Sequence, residues 1–314
     1  MTISHASAVR GQSAWPKLPL AEWQDTLSTL QRWAQIIGKT RLALAPPVNH
    51  WWHIALYLTS RGLTTSPMPQ GSRTVEVELD FIDHNLLIQS SDGASRRFAL
   101  VPRSVAEFYR EYMGLLQEMG VQPRFWPAPN EMEDTTPFLE DEQHRSYDPD
   151  YAGRCWQILS QTNRVLQEFR GRFIGKCSPV HFFWGAFDLA CTRFSGRPAP
   201  LHPGGVHNLP DWAVREAYSH ECISAGWWPG GGPVAEPGFY SYSYPEPAGF
   251  AEAEVRPSEA YYNRDLREFI LPYEAVREAQ RPDEGLLQFF QSTYEAGAEL
   301  GGWDRRSLEH PSRS

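Results

Sequence analysis

Long apolar runs are missing from this chain: nowhere do about 18 apolar residues follow one another, the length a membrane-spanning helix needs. Clustered positive charge is missing too. No Lys/Arg run exceeds a doublet (Arg96-Arg97, Arg305-Arg306), and the formal net charge is −9 with a pI near 5.6, so nucleic acid is excluded as a partner. Cysteine is scarce. The four thiols, Cys155, Cys177, Cys191 and Cys222, are irregularly spaced with no C-x-x-C pair, which excludes a disulfide scaffold and points to reduced thiols in a cytoplasm. The opening MTISHASAVRGQSAW holds no apolar segment of the kind a secretion signal uses, so a soluble cytoplasmic setting is expected, without membrane. No dinucleotide fingerprint, H-E-x-x-H or G-x-S-x-G occurs, and this leaves nucleophilic chemistry at Ser195 or Ser219 unsupported. Gly230-Gly231-Gly232 runs into Pro233 where a phosphate-binding helix would have to start, so it reads as a loop.

Aromatic residues, by contrast, are abundant. Twelve Trp, thirteen Tyr and sixteen Phe make 13% of the 314 residues, large groups whose N–H and O–H tips need partners once buried. The longest aromatic run is RFIGKCSPVHFFWGAFDLACTRFSGR, residues 172 to 197, and it echoes an earlier stretch. Ile37-Gly38-Lys39 answers Ile174-Gly175-Lys176, and His50-Trp51-Trp52 answers His181-Phe182-Phe183. The echo predicts an α+β fold of two pseudo-symmetric copies, each helix, antiparallel meander, helix, with the second enlarged by loops. The expected organisation is a leader over 1–17, a first copy over 18–120, a Pro- and acid-rich connector over 121–148, a second copy over 149–308 and a tail over 309–314.

In the first copy, Leu20, Trp23, Leu27, Leu30 and Ile37 recur at helical spacing behind Pro19. Arg41 to Ala45 then reads as a short strand, and His50 to Ser60 as a strand with two apolar faces. Residues 73 to 81 alternate strictly, Val75, Val77, Leu79 and Phe81 inward and Glu76, Glu78 and Asp80 outward. Ser104 with Glu107 is a capping box that opens a helix stopped at Gly120. In the second copy, Asp148-Pro149 caps a helix with Cys155, Ile158, Leu159, Thr162, Leu166 and Phe169 inward. Glu268 to Val276 repeats the strand, Pro, helix order of Arg97 to Val105.

The strings FIGKCSPVHFFWGAFDLACTRFSGR, SHECISAGWWPGGG, YSYPEP, FILPYEAVREA and QSTYEAGAELGGWDR resemble the bacterial family DUF5996 from Trp15 to about Leu308. That family is one of unknown function, so the resemblance implies a shared fold and a bacterial cytosolic setting and transfers no catalytic residue. It also implies aliphatic residues where this chain has Cys191 and Cys222, so neither is read as an essential ligand or nucleophile.

Chemistry-bearing residues concentrate in the second copy. Asp188, between Phe187 and Leu189, needs a partner if it is buried. It is either ion-paired with Arg193, Arg197 or Arg172, or a base of raised pKa. His220 and Glu221 offer acid–base groups; on a strand only His220 and Cys222 share a side, and no spacing assembles the three or four ligands of a metal site, so none is assigned. Tyr240, Tyr242 and Tyr244 share one strand face, either as aromatic core or as a pocket wall. The candidate catalytic residues are therefore His220, Glu221 and Asp188, and the candidate ligand anchors His181, Arg197, Tyr240, Tyr242 and Trp227. Two functions fit this pattern. One is an enzyme acting on a small polar metabolite in a His/Glu/Tyr/Arg-lined pocket; the other is a non-catalytic module that docks a ligand or protein through exposed Trp227-Trp228. The cofactor is unknown, and the sequence leaves oligomeric state open.

Overall fold

The computed structural model describes residues 14–311, so the expected leader and tail lie partly outside the described residues. Within the leader, Trp15 is core, its ring 6.0 Å from that of Phe239.

Helix α1 (Leu20–Leu44) starts at Pro19 and runs through Ile37-Gly38-Lys39 and most of the segment expected as a strand. Two contacts explain the extension. Gly38 is tolerated in mid-helix because the Trp184 ring lies where a side chain would go, 2.2 Å from an added Cβ. The stop comes only at Pro46-Pro47, which disfavours helical geometry in the residue before it. The expected strand from His50 is instead a 3-10 turn, Asn49–Ile54, in which His50 and Trp51 take left-handed φ of 58° and 62°.

The chain then forms β1 (Tyr57–Leu58), β2 (Gly62–Thr64), β3 (Met68–Gln70), β4 (Arg73–Asp80), β5 (Asn85–Ser90) and β6 (Ser95–Ala99), followed by α2 (Val105–Glu118). The first sheet is antiparallel in the order β1-β2-β4-β5-β6, with β3 beside β2 on β4. Val75, Val77, Leu79 and Phe81 are buried as their alternation requires. Asp80, expected in water, is buried as well and accepts from Arg61 Nε at 2.7 Å. The capping box is formed: Ser104 accepts from Glu107 N, and Glu107 accepts from Ser104 N.

The connector 121–148 has no regular element. Next come α3 (Pro149–Gly171), capped by Asp148, β7 (His181–Phe183), β8 (Asp188–Pro198), α4 (Asp211–Ala217), β9 (His220–Trp228), β10 (Gly238–Tyr244), β11 (Tyr261–Asn263), β12 (Glu268–Pro272), α5 (Tyr273–Glu278), α6 (Pro282–Leu300) and α7 (Arg305–Leu308). The second sheet is antiparallel in the order β11-β12-β10-β9-β8-β7. A Leu56↔Phe182 bridge joins the two sheets near β1 and β7, and one apolar core runs through both halves from Trp15 to Trp303.

The fold is α+β, with helices over antiparallel sheets. The echoed landmarks nevertheless occupy unlike structure. Ile37 is buried within α1, whereas Ile174 is 52% exposed in the loop after α3; His50 lies in a 3-10 turn, whereas His181 opens β7. Both halves do run helix, six-stranded antiparallel sheet, helix, and the strand, Pro, helix succession matches, β6 into α2 and β12 into α5.

Candidate functional site

Strand alternation gives the second sheet two faces with different tasks. Leu189, Cys191 and Arg193, with Ile223, Ala225, Trp227, Phe239 and Leu271, are buried in the core beneath α3 and α6. The other face carries Asp188, Ala190, Gly226, Trp228, Tyr240, Tyr242 and Glu268. Register sets the row Ala190, Gly226, Tyr240, Ile270 across four strands. At its centre Gly226 leaves room for the neighbouring phenol, since a Cβ there would stand 2.7 Å from Tyr240 Oη. Tyr240 thereby leans across and donates its hydroxyl to Asp188 Oδ2.

Over this pair the connector brings a second carboxyl. Gln35 on α1 clamps Asn130 through both main-chain groups at 2.8 Å, Lys39 donates to Asn130 Oδ1, and Gln31 holds Gly185 O at 2.7 Å. Arg32 ties down the next turn through Asp134 at 3.0 Å and Asp141 at 3.1 Å. So held, Glu131 adopts φ of 56° and, though exposed as a residue, sets its carboxyl against Gly185. Only glycine fits there: a Cβ on residue 185 would lie 1.9 Å from Glu131 Oε1.

Burial then works on every ionisable group nearby. It raises the Asp188 carboxyl to about 6, against the opposing hydrogen bond from Tyr240. Burial, and next the charge of Asp188, raises Glu131 and Glu268 to about 7 each, with Lys39 opposing the rise at Glu131. Lys39 is 2% exposed and burial lowers it to about 8, with Glu131 opposing. The phenols of Tyr240, Tyr242 and Tyr218 are all pushed up by burial, and Tyr218 and Tyr242 share a 2.8 Å hydroxyl contact. Asp188, Trp228, Tyr242, Tyr218 and Glu268 nonetheless each keep some exposed surface, so this face of the sheet is only partly covered. Three acids and an ammonium poised between about 6 and 8 exchange protons readily at neutral pH.

The sequence candidates separate accordingly. Asp188, Tyr240 and Tyr242 stand together. His181 is on the same face, paired with Ala190, with Nε2 3.3 Å from Tyr57 Oη; its Nδ1 is buried without a partner and burial lowers it to about 3, so it is neutral. His220 shares the face but sits at the far end of β9, about 23 Å from Trp227 at the usual rise per residue, where it meets the His50 ring at 5.6 Å. Glu221 and Arg197 belong to the opposite side. They pair with each other at 2.6 Å, and Arg197 also donates to the carbonyls of Gly301 and Gly302 at the end of α6, a structural tie.

Trp227 is fully buried in the core, which overturns its reading as an exposed docking residue. The expected Asp188–Arg pair is overturned too. Arg193, five residues along β8, points to the other face and stacks on Phe169 at 3.5 Å; Arg197 holds Glu221 and Arg172 holds Glu168. Sequence reading missed Lys39, Glu131, Glu268 and Tyr218. Among the described residues no three His, Cys, Asp or Glu side chains converge as metal ligands, and no helix is long and apolar enough to cross a membrane.

Fold and site together define an α+β protein with a partly exposed cluster of acids and tyrosines on one face of an antiparallel sheet. The chain belongs to DUF5996, a family of unknown function, whose family model matches residues 15–310. No curated protein and no solved structure matches it.

Proposed function

We propose that this acid and tyrosine cluster is the active site of a bacterial cytosolic enzyme that transfers protons on a small polar metabolite. The observation that carries the reading is the Tyr240–Asp188 hydrogen bond set among Glu131, Glu268 and Lys39. Asp188 serves as the base, with its position fixed by Tyr240; a positioned base of this kind contributes on the order of 10²- to 10⁴-fold in rate. Lys39 supplies an N–H⁺ for charge that develops on the substrate, and Glu131 keeps that ammonium protonated. The four free thiols support a reducing compartment. His220 and Glu221 have no part in this centre.

The stacked pair Tyr240 and Tyr242, rings 6.2 Å apart, equally supports a binding module without turnover, and one experiment separates the readings. A metabolite thermal-shift screen finds ligands, and each hit is then followed for conversion. Hits that are converted by the wild type but not by Asp188→Asn establish the enzyme; hits that bind without conversion establish the module. Hits that stabilise Asp188→Asn and Tyr240→Phe as well as the wild type refute the site.

A further inference from the structure

On the core side of β8, away from that cluster, lies a second reactive arrangement. The segment 176–178 runs antiparallel to β8, with Cys177 opposite Arg193, Ser178 N donating to Thr192 O at 2.8 Å and Phe194 N donating to Lys176 O at 3.0 Å. Cys191 is one alternation before Arg193 and so shares its face. This brings the Sγ atoms of Cys177 and Cys191 to 3.6 Å, both as free thiols. Cys177 is partly exposed, whereas Cys191 is fully buried.

The charge beside them is unusual. Arg193 is fully buried between the rings of Phe169 and Tyr294, and one of its terminal nitrogens donates to Phe169 O. Its Nε and the other terminal nitrogen have no partner. A buried guanidinium with unmatched N–H groups favours a neighbouring anion, and the Cys177 sulfur, with Tyr294, Cys191 and Glu309, is among the ionisable groups that act on it. Arg170 adds a second cation, fixed to Ser178 O at 2.8 Å.

We propose that Cys177 and Cys191 form an oxidation site for hydrogen peroxide, in which Cys177 reacts first and Cys191 closes it to a disulfide. The Cys177 thiolate attacks one peroxide oxygen and the O–O bond breaks. The leaving hydroxide takes a proton as water, and Cys177 is left as a sulfenic acid, oxidised by two electrons. The sulfur of Cys191 then attacks that of Cys177; the displaced hydroxyl leaves as water with the Cys191 proton. One peroxide and two thiols become one disulfide and two waters. The two sulfurs have to close from 3.6 Å to a bond of about 2.05 Å. The two thiols are biased in the required sense: the hydrogen-bond contact with Cys191, against burial, and then Arg193 and Arg170 hold Cys177 below the usual thiol value, while Cys191 is pushed up. Cys155 and Cys222 are buried and pushed up by burial, so they stay reduced and act as internal controls.

The test treats the full chain with one equivalent of hydrogen peroxide, counts thiols after denaturation and maps peptides without reduction. The expected result is a fall from four thiols to two and a single Cys177–Cys191 peptide. Cys191→Ser should stop at a sulfenic acid on Cys177 that dimedone traps, and Cys177→Ser should keep all its remaining thiols. Native iodoacetamide labelling of the unmodified wild type, which requires no variant to fold, should label Cys177 first. Four surviving thiols, a linkage through Cys155 or Cys222, or earlier labelling of either of those two would overturn the proposal.

Discussion

Replacing Asp188 by Asn should make the protein more stable at alkaline pH while abolishing function. The native carboxyl titrates near 6 against 3.8 in an unfolded chain. Between those values the native state holds a proton that the unfolded state has shed, so stability falls as pH rises through the window. That difference in proton affinity corresponds to about 3 kcal/mol once the group is ionised in both states. Asn has the same shape and carries no charge, so this penalty disappears. The Tyr240 hydrogen bond is already included in the value near 6, and an amide oxygen still accepts from the phenol. The balance is a gain of about 3 kcal/mol at pH 8 that shrinks to about 1 kcal/mol at pH 4.5, where the wild-type native carboxyl is largely protonated. Urea melts of both proteins at the two pH values measure it. A variant less stable than the wild type by about 2 kcal/mol or more at pH 8 would mean that a cation holds the carboxylate, and the reasoning would fail.

Three further outcomes follow. Gly185→Ala should push only the mobile end of Glu131 aside, leaving the melting temperature within a few degrees of the wild type while ligand-induced thermal shifts in the metabolite screen disappear. Arg32→Ala strips the cation from fully buried Asp141 and unties the connector from α1, so urea melts should show a loss of about 3–5 kcal/mol. Lys39 titrates near 8 in the folded chain against 10.5 unfolded, so the unfolded state binds more protons between those values and stability should rise with pH by up to about 3 kcal/mol; Lys39→Met should flatten that rise.

Local rules carried the parts of the fold that the sequence disclosed. Ser104 and Glu107 cap their own helix, Asp148-Pro149 opens the next, and the alternation from Val75 to Phe81 needs no distant partner to be read. Errors arose where tertiary contacts decide. Ile37-Gly38-Lys39 resembled a helix exit, yet the Trp184 ring fills the notch at Gly38 and the helix continues. His50 and Trp51 suggested a strand, but packing of the His50 ring at 4.6 Å from Phe194 accompanies a turn. At the site, strand parity alone would have separated Arg193 from Asp188 and Trp227 from Tyr240's neighbour Gly226. Glu131 had no such signal: it lies in an aperiodic connector, and only Gln35 and Lys39, nearly a hundred residues earlier, determine where its carboxyl points.

The central claim is that Asp188 is a poised base under the control of Tyr240. A carbon-13 NMR titration of the Asp188 side-chain carboxyl, in the wild type and in Tyr240→Phe, tests it directly. The account predicts a midpoint near 6 that moves higher in Tyr240→Phe, since the phenol's hydrogen bond is what opposes burial. A midpoint near 3.8 in both proteins, the value of a solvated or ion-paired aspartate, would contradict it.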